Sequence, residues 1–84
     1  LKNYYVPRVE VTNDKETTSA WQIGGSNRKS DAIKEAKHLN KEIAEGKWDK
    51  YLTEQEKAKG YHLNACVEVQ NDDGDLLKFF IKDI

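Results

Sequence analysis

Leu63-Asn64-Ala65-Cys66-Val67-Glu68-Val69-Gln70, then Asn71-Asp72-Asp73-Gly74-Asp75, then Leu76-Leu77-Lys78-Phe79-Phe80-Ile81-Lys82 is the stretch that decides the fold. Leu63, Ala65, Val67 and Val69 alternate with polar or small neighbours, the period of a strand with one buried face. Leu77, Phe79 and Ile81 alternate with Leu76, Lys78, Phe80 and Lys82 in the same way. Between them lies an acidic turn in which Gly74 supplies the positive φ that a tight reversal needs. The stretch predicts a β-hairpin.

Working outward, residues 47–60 precede the hairpin. Trp48, Tyr51 and Leu52 share a helical face, and Thr53-Glu54-Gln55-Glu56 has the capping-box form. Gly60 ends a short helix there, and one bent helix from Trp48 to Lys59 is the alternative. Before that, Ala32, Ile33, Ala36, Leu39 and Ile43 recur at helical spacing. Ser30 is the expected N-cap, Asp31 suits the first turn, and Gly46 is the stop. Residues 4–11 read as a strand with Tyr5, Val9 and Val11 on one face and Tyr4, Val6, Arg8 and Glu10 on the other. Pro7 lacks an N–H, which predicts an edge position or a bulge. A second strand runs from about Thr17 to Ile23 and stops at Gly24-Gly25. The order is strand, strand, helix, short helix, strand, strand. The expected fold is α+β: a four-stranded, mostly antiparallel sheet in ββαββ order, with one main helix on one face and a short second helix.

With 84 residues, the chain is expected to form a single domain, 1–84. A domain of this size has one core, which leaves little room for a deep enclosed active site. The formal net charge is −1, with charged residues at 35%. This balance argues against a DNA mimic and against a generally basic nucleic-acid binder. No apolar run is long enough for a membrane helix, and the first residues lack the core of a secretory leader. The cytoplasm is the expected compartment. A lone cysteine makes no internal disulfide.

Chemical motifs fall short one by one. Cys66 and His62 are a thiol and an imidazole, but four residues along a strand span roughly 13 Å, too far for a nucleophile–base pair. Two histidines and one cysteine do not complete a structural zinc site. Aligning Gly74 with the sixth position of an EF-hand loop puts Val69 first and Phe80 twelfth, and neither is a ligand. Gly24-Gly25-Ser26-Asn27-Arg28-Lys29-Ser30 leads from strand to helix like a phosphate loop, yet Arg28 stands where that loop needs glycine. Arg28 and Lys29 survive as an anion contact, whether to a nucleic-acid phosphate or to a partner's carboxylate. No catalytic residue, metal or cofactor is expected. Charge is uneven: residues 28–59 carry 9 basic and 7 acidic side chains (+2), and residues 68–84 carry 2 and 5 (−3).

One helix covers one face of a four-stranded sheet. The face with Trp21, Val67, Val69, Leu77, Phe79 and Ile81 is expected to meet it. The other then carries Tyr4, Val6, Arg8, Cys66, Leu76, Phe80 and Lys82, apolar groups interleaved with cations. Such a face fits a protein interface or a single-strand stacking platform. Trp48 and Tyr51 folding over it, or dimerisation through it, are the other readings.

The run Ala20-Trp21-Gln22-Ile23 into Ser30-Asp31-Ala32-Ile33-Lys34-Glu35-Ala36-Lys37, with Cys66-Val67-Glu68-Val69 through Asp73-Gly74 to Leu77-Lys78-Phe79, resembles small single-domain ββαββ proteins of unknown function. Size and layout also resemble phage-encoded anti-CRISPR and other anti-defence proteins. That resemblance implies a protein that binds and blocks a larger complex without catalysis, and it assigns no residue a role. The expected function is a non-enzymatic protein-binding module, possible contacts being Arg28, Lys29, Tyr4, Phe80 and Lys82. A nucleic-acid-binding domain using the Arg28/Lys29 loop and helix is the alternative, and a homodimerising domain is the third reading.

Overall fold

The computed structural model describes residues 3–13, 15–71, 76–82 and 84, residues 76–79 by their backbone alone. In chain order the elements are β1 (Tyr4–Thr12), β2 (Thr17–Gln22), α1 (Lys29–Ala44), a 3-10 turn (Asp49–Tyr51), α2 (Glu54–Ala58), β3 (His62–Gln70) and β4 (Leu76–Ile81). The sheet order is β2-β1-β3-β4, and every pairing is antiparallel. This is the α+β fold that the alternation predicts. The acidic turn with Gly74, and the facing of the Leu76, Leu77 and Phe79 side chains, lie outside the described residues.

β2 and β3 run in the same direction with β1 between them, so α1 is the crossover that joins them. The helix packs over the two central strands, β1 and β3. Ala32 and Ala36 are buried and lack bulk, which brings the helix axis close to the sheet, and Leu39 fills the space beyond them. Opposite lie Val9, Val11, Leu63, Ala65 and Val67, one continuous core. A helix about 10 Å wide spans roughly two strands spaced 4.8 Å apart. The flank under β2 is therefore left to the segment after α1. Trp48 and Leu52 pack against the core there, and Tyr51 lies 5.4 Å from Trp21 and 5.1 Å from Trp48, ring centre to ring centre. These aromatics cover the helix side of the sheet rather than its other face.

Two local expectations change. The helix starts at Lys29 with Arg28 as N-cap, not at Ser30. The Ser26 hydroxyl accepts the Arg28 N–H at 3.0 Å, which sets the turn earlier in the chain. β1 is central, not an edge. Pro7 is tolerated because the irregularity lies in its neighbour: the Ile23 N–H donates to the Pro7 carbonyl at 2.8 Å, β2 ends, and Gly24-Gly25 loops out. Pairing resumes with reciprocal Tyr5 and Ser26 bonds of 2.7 and 2.9 Å. The donor that Pro7 lacks is thus missing only where the ladder has already broken. The Gly46 stop and the Thr53 capping box form as the sequence predicts. Residues 47–60 form two short pieces, not one bent helix.

Candidate interaction surface

Along β1, odd-numbered side chains face the helix and even-numbered ones face away. The register sets Arg8 beside Cys66 on one side and Gln22 on the other, at the centre of the sheet's second face. Its guanidinium donates to Glu68 Oε1 at 2.9 Å and to Glu10 Oε2 at 3.2 Å. Glu68 Oε2 accepts from Gln22 and Gln70 at 2.7 and 2.6 Å. Lys82 reaches Glu10 Oε1 at 3.2 Å as an ion pair whose geometry leaves that oxygen without a hydrogen bond. Phe80 stacks on both cations, its ring centre 4.8 Å from Arg8 and 5.6 Å from Lys82.

Glu10 is only 2% exposed and Glu68 5%. Long side chains of the face itself cover these acids. Among the described residues, this face carries a self-paired cluster of two carboxylates and two cations, and Val6 and Cys66 are buried there. Periodicity showed the cations and apolar groups of this face. It missed Glu10 and Glu68 as their partners, because a polar residue in an alternating strand reads as solvated.

The sequence-derived contacts fall into separate places. Phe80 and Lys82 belong to the charge cluster. Tyr4, 40% exposed, shares that face but lies over Gly25, where a Cβ would stand 2.7 Å from its hydroxyl. A side chain at Gly25 would push the exposed Tyr4 ring aside. Arg28 and Lys29 are exposed at the start of α1. Near them a shallow hollow of about 300 Å³ runs between Ile23-Gly24-Gly25 and the helix, with Asp31 and Glu35 on its wall.

Burial, aided by the Glu10 charge, pushes the Cys66 thiol up to about 11. A thiol so placed is protonated at neutral pH and shielded from solvent. His62 is exposed on the strand end. Among the described residues, no three metal-ligating side chains are grouped, and no helix is long and apolar enough to cross a membrane.

The Cys66 environment predicts an alkaline loss of stability. The folded state holds the thiol proton more tightly than the unfolded chain, so stability is complete below pH 9 and falls between about pH 9 and 11. Cys66→Ala is expected to remove on the order of 2 kcal/mol of that fall. Urea unfolding at pH 8 and pH 10.5 measures it, and equal slopes in both proteins would refute the assignment. Tyr61, raised by its hydrogen bond to Glu16, adds a separate decline above pH 10 that both proteins share.

The outer edge of β2 is a second surface. Among the described residues, the strand has β1 on one side and no strand on the other. Thr17, Thr18, Ser19, Ala20 and Gln22 are exposed, and none of the strand's residues is charged. Trp21 and the 40%-exposed Tyr51 form an aromatic shelf beneath it.

Compared with known proteins, the chain matches no family model, no curated protein and no solved structure.

Proposed function

We propose that this chain is a non-enzymatic protein-binding module that receives its partner along the outer edge of β2. One observation carries the reading: a strand edge without charge, unpaired among the described residues, lies beside a half-exposed aromatic shelf. Sheet edges usually carry charges, prolines or covering loops, because their free N–H and C=O groups template further strands. A β2 edge left bare is suited to strand addition, where main-chain hydrogen bonds give affinity and neighbouring side chains give specificity. Tyr51 and Trp21 are the anchors, since aromatic side chains dominate such contacts. Blocking a larger assembly is the role that the resemblance to anti-defence proteins implies.

Binding of nucleic acid is the alternative, favoured by the exposed Arg28 and Lys29 at the start of α1. Asp31 and Glu35 beside them weigh against it.

Affinity capture from the native host with the wild-type chain, Ala20→Lys and Tyr51→Ser tests both readings. Proteins retained by wild type are expected to drop at least tenfold with either variant, with no nucleic acid in the eluate. Identical retention by all three would overturn the edge reading. Nucleic acid released by salt would favour the alternative.

A further inference from the structure

In this chain 35% of residues are charged, yet the longest run without Asp, Glu, Lys or Arg is Thr17 to Asn27, and β2 lies wholly inside it. A foreign strand places no such demand on its acceptor, because opposite charges pair across an edge as readily as neutral groups do. A second copy does. Across a two-fold axis, residues near the axis meet their own equivalents, so a charge there faces a like charge. Neutrality centred on the strand is the composition that self-pairing needs.

The backbone supplies the register. The bond from the Ile23 N–H to the Pro7 carbonyl, at 2.8 Å, fixes the direction in which alternate residues point. Trp21, two residues earlier, turns its N–H and C=O toward β1, so those of Ala20 and Gln22 point outward. The register shift at Val11/Thr12 leaves Thr18 without a regular place in the ladder. An antiparallel contact between Ala20 and the partner's Gln22, repeated by symmetry, uses these outward groups in four hydrogen bonds. It also sets Trp21 opposite the partner's Trp21 in the closely spaced, non-hydrogen-bonded position. Both indoles then lie on the helix side, where Tyr51 already packs against Trp21.

We propose that β2 pairs edge to edge with β2 of a second copy, Ala20 against the partner's Gln22, to make a continuous eight-stranded sheet. This rests on reading the β2 edge as the binding surface and names its occupant. The shared edge is short, so the dimer is concentration-dependent rather than permanent.

Sedimentation over a concentration series of the wild-type chain, Ala20→Lys, Ala20→Glu and an equimolar mixture of the two variants tests it. The wild type is expected to move from monomer to dimer. Each variant is expected to associate at least tenfold more weakly, and the mixture to regain dimer through opposite charges. That rescue also shows that the variants fold. Amide exchange at Ala20 and Gln22 is expected to slow with wild-type concentration. A wild type monomeric throughout, or variants that dimerise as it does, would overturn the proposal. If the wild type is monomeric while Ala20→Lys still releases captured host proteins, the second copy falls and the binding reading stands. If captured proteins are also indifferent to Ala20→Lys, both fall.

Discussion

Arg8→Ala is expected to lower the free energy of unfolding by about 3–5 kcal/mol, the loss typical of removing one partner from a buried ionic cluster. Arg8 is the donor that Glu10 and Glu68 share, and both acids are almost wholly buried. Without it, the two buried carboxylates that the register sets on either side of Arg8, Glu10 opposite Asn64 and Glu68 opposite Val6, lose the cation they share. Lys82 compensates only Glu10, and from a half-exposed position. Gln22 and Gln70 still donate to Glu68, but neutral donors do not balance its charge. Phe80 also loses the guanidinium it stacks on.

The double variant Arg8→Ala/Glu10→Gln is expected to be less destabilised than the sum of its parts, because it removes one uncompensated charge along with its partner. Arg8→Lys is expected to recover only part of the loss, since one ammonium does not reproduce a fork that spans two acids. Urea unfolding of the set measures these differences. A loss under about 1 kcal/mol for Arg8→Ala would show that the cluster behaves as a solvated surface pair.

This cluster also marks where sequence reading stops. Alternation placed Tyr4, Val6 and Arg8 on the face away from the helix, and the structure puts them there. Alternation says nothing of which strands lie side by side. Only the register of β1 with β3 brings Glu68 to Arg8, and only the ββαββ order 2-1-3-4 puts Gln22 on the far side. A face that reads as cations among apolar groups thus becomes a neutral, self-paired cluster.

Pro7 teaches the same lesson. Its missing N–H is legible from the sequence, but whether a neighbour needs that N–H depends on where β2 ends. The helix stripe was fully legible because Ala32, Ala36 and Leu39 carry the helical period within one element. The destination of Trp48 and Tyr51 was not, because it depends on how much of the sheet α1 leaves uncovered. The β2 edge was legible in composition as a run without charge, but its meaning appears only once β2 is known to be an outer strand.

Asn40→Ala is expected to lower the free energy of unfolding by about 2–4 kcal/mol, although the residue belongs to no charge cluster and to no apolar stripe. In β3 the even-numbered residues bond to β1, so Ala65 turns its N–H and C=O toward β4. Among the described residues, the pairing of β4 reaches to Val67, opposite Ile81. Both groups of Ala65 would be left without a ladder partner on that side. Asn40 supplies one: its Nδ2 donates to the Ala65 carbonyl at 3.2 Å, and its Oδ1 accepts the Ala65 N–H at 2.9 Å. A side-chain amide thus extends the sheet from the helix and pins α1 to β3 in one rotational setting.

Leaving a buried donor or acceptor unpaired costs about 1–3 kcal/mol each, and water entering beside Ala65 recovers part of that. Asn40→Asp keeps the acceptor, loses the donor and brings a charge next to a carbonyl, so it is expected to be no better than alanine. Asn40→Gln carries the same amide on a longer stem and is expected to retain little, because the two bonds require the Asn reach. Urea unfolding ranks the three. Amide exchange gives the sharper readout: the Ala65 N–H is expected to be strongly protected in wild type and to lose that protection first in Asn40→Ala. Protection unchanged in that variant would mean that another acceptor holds the strand.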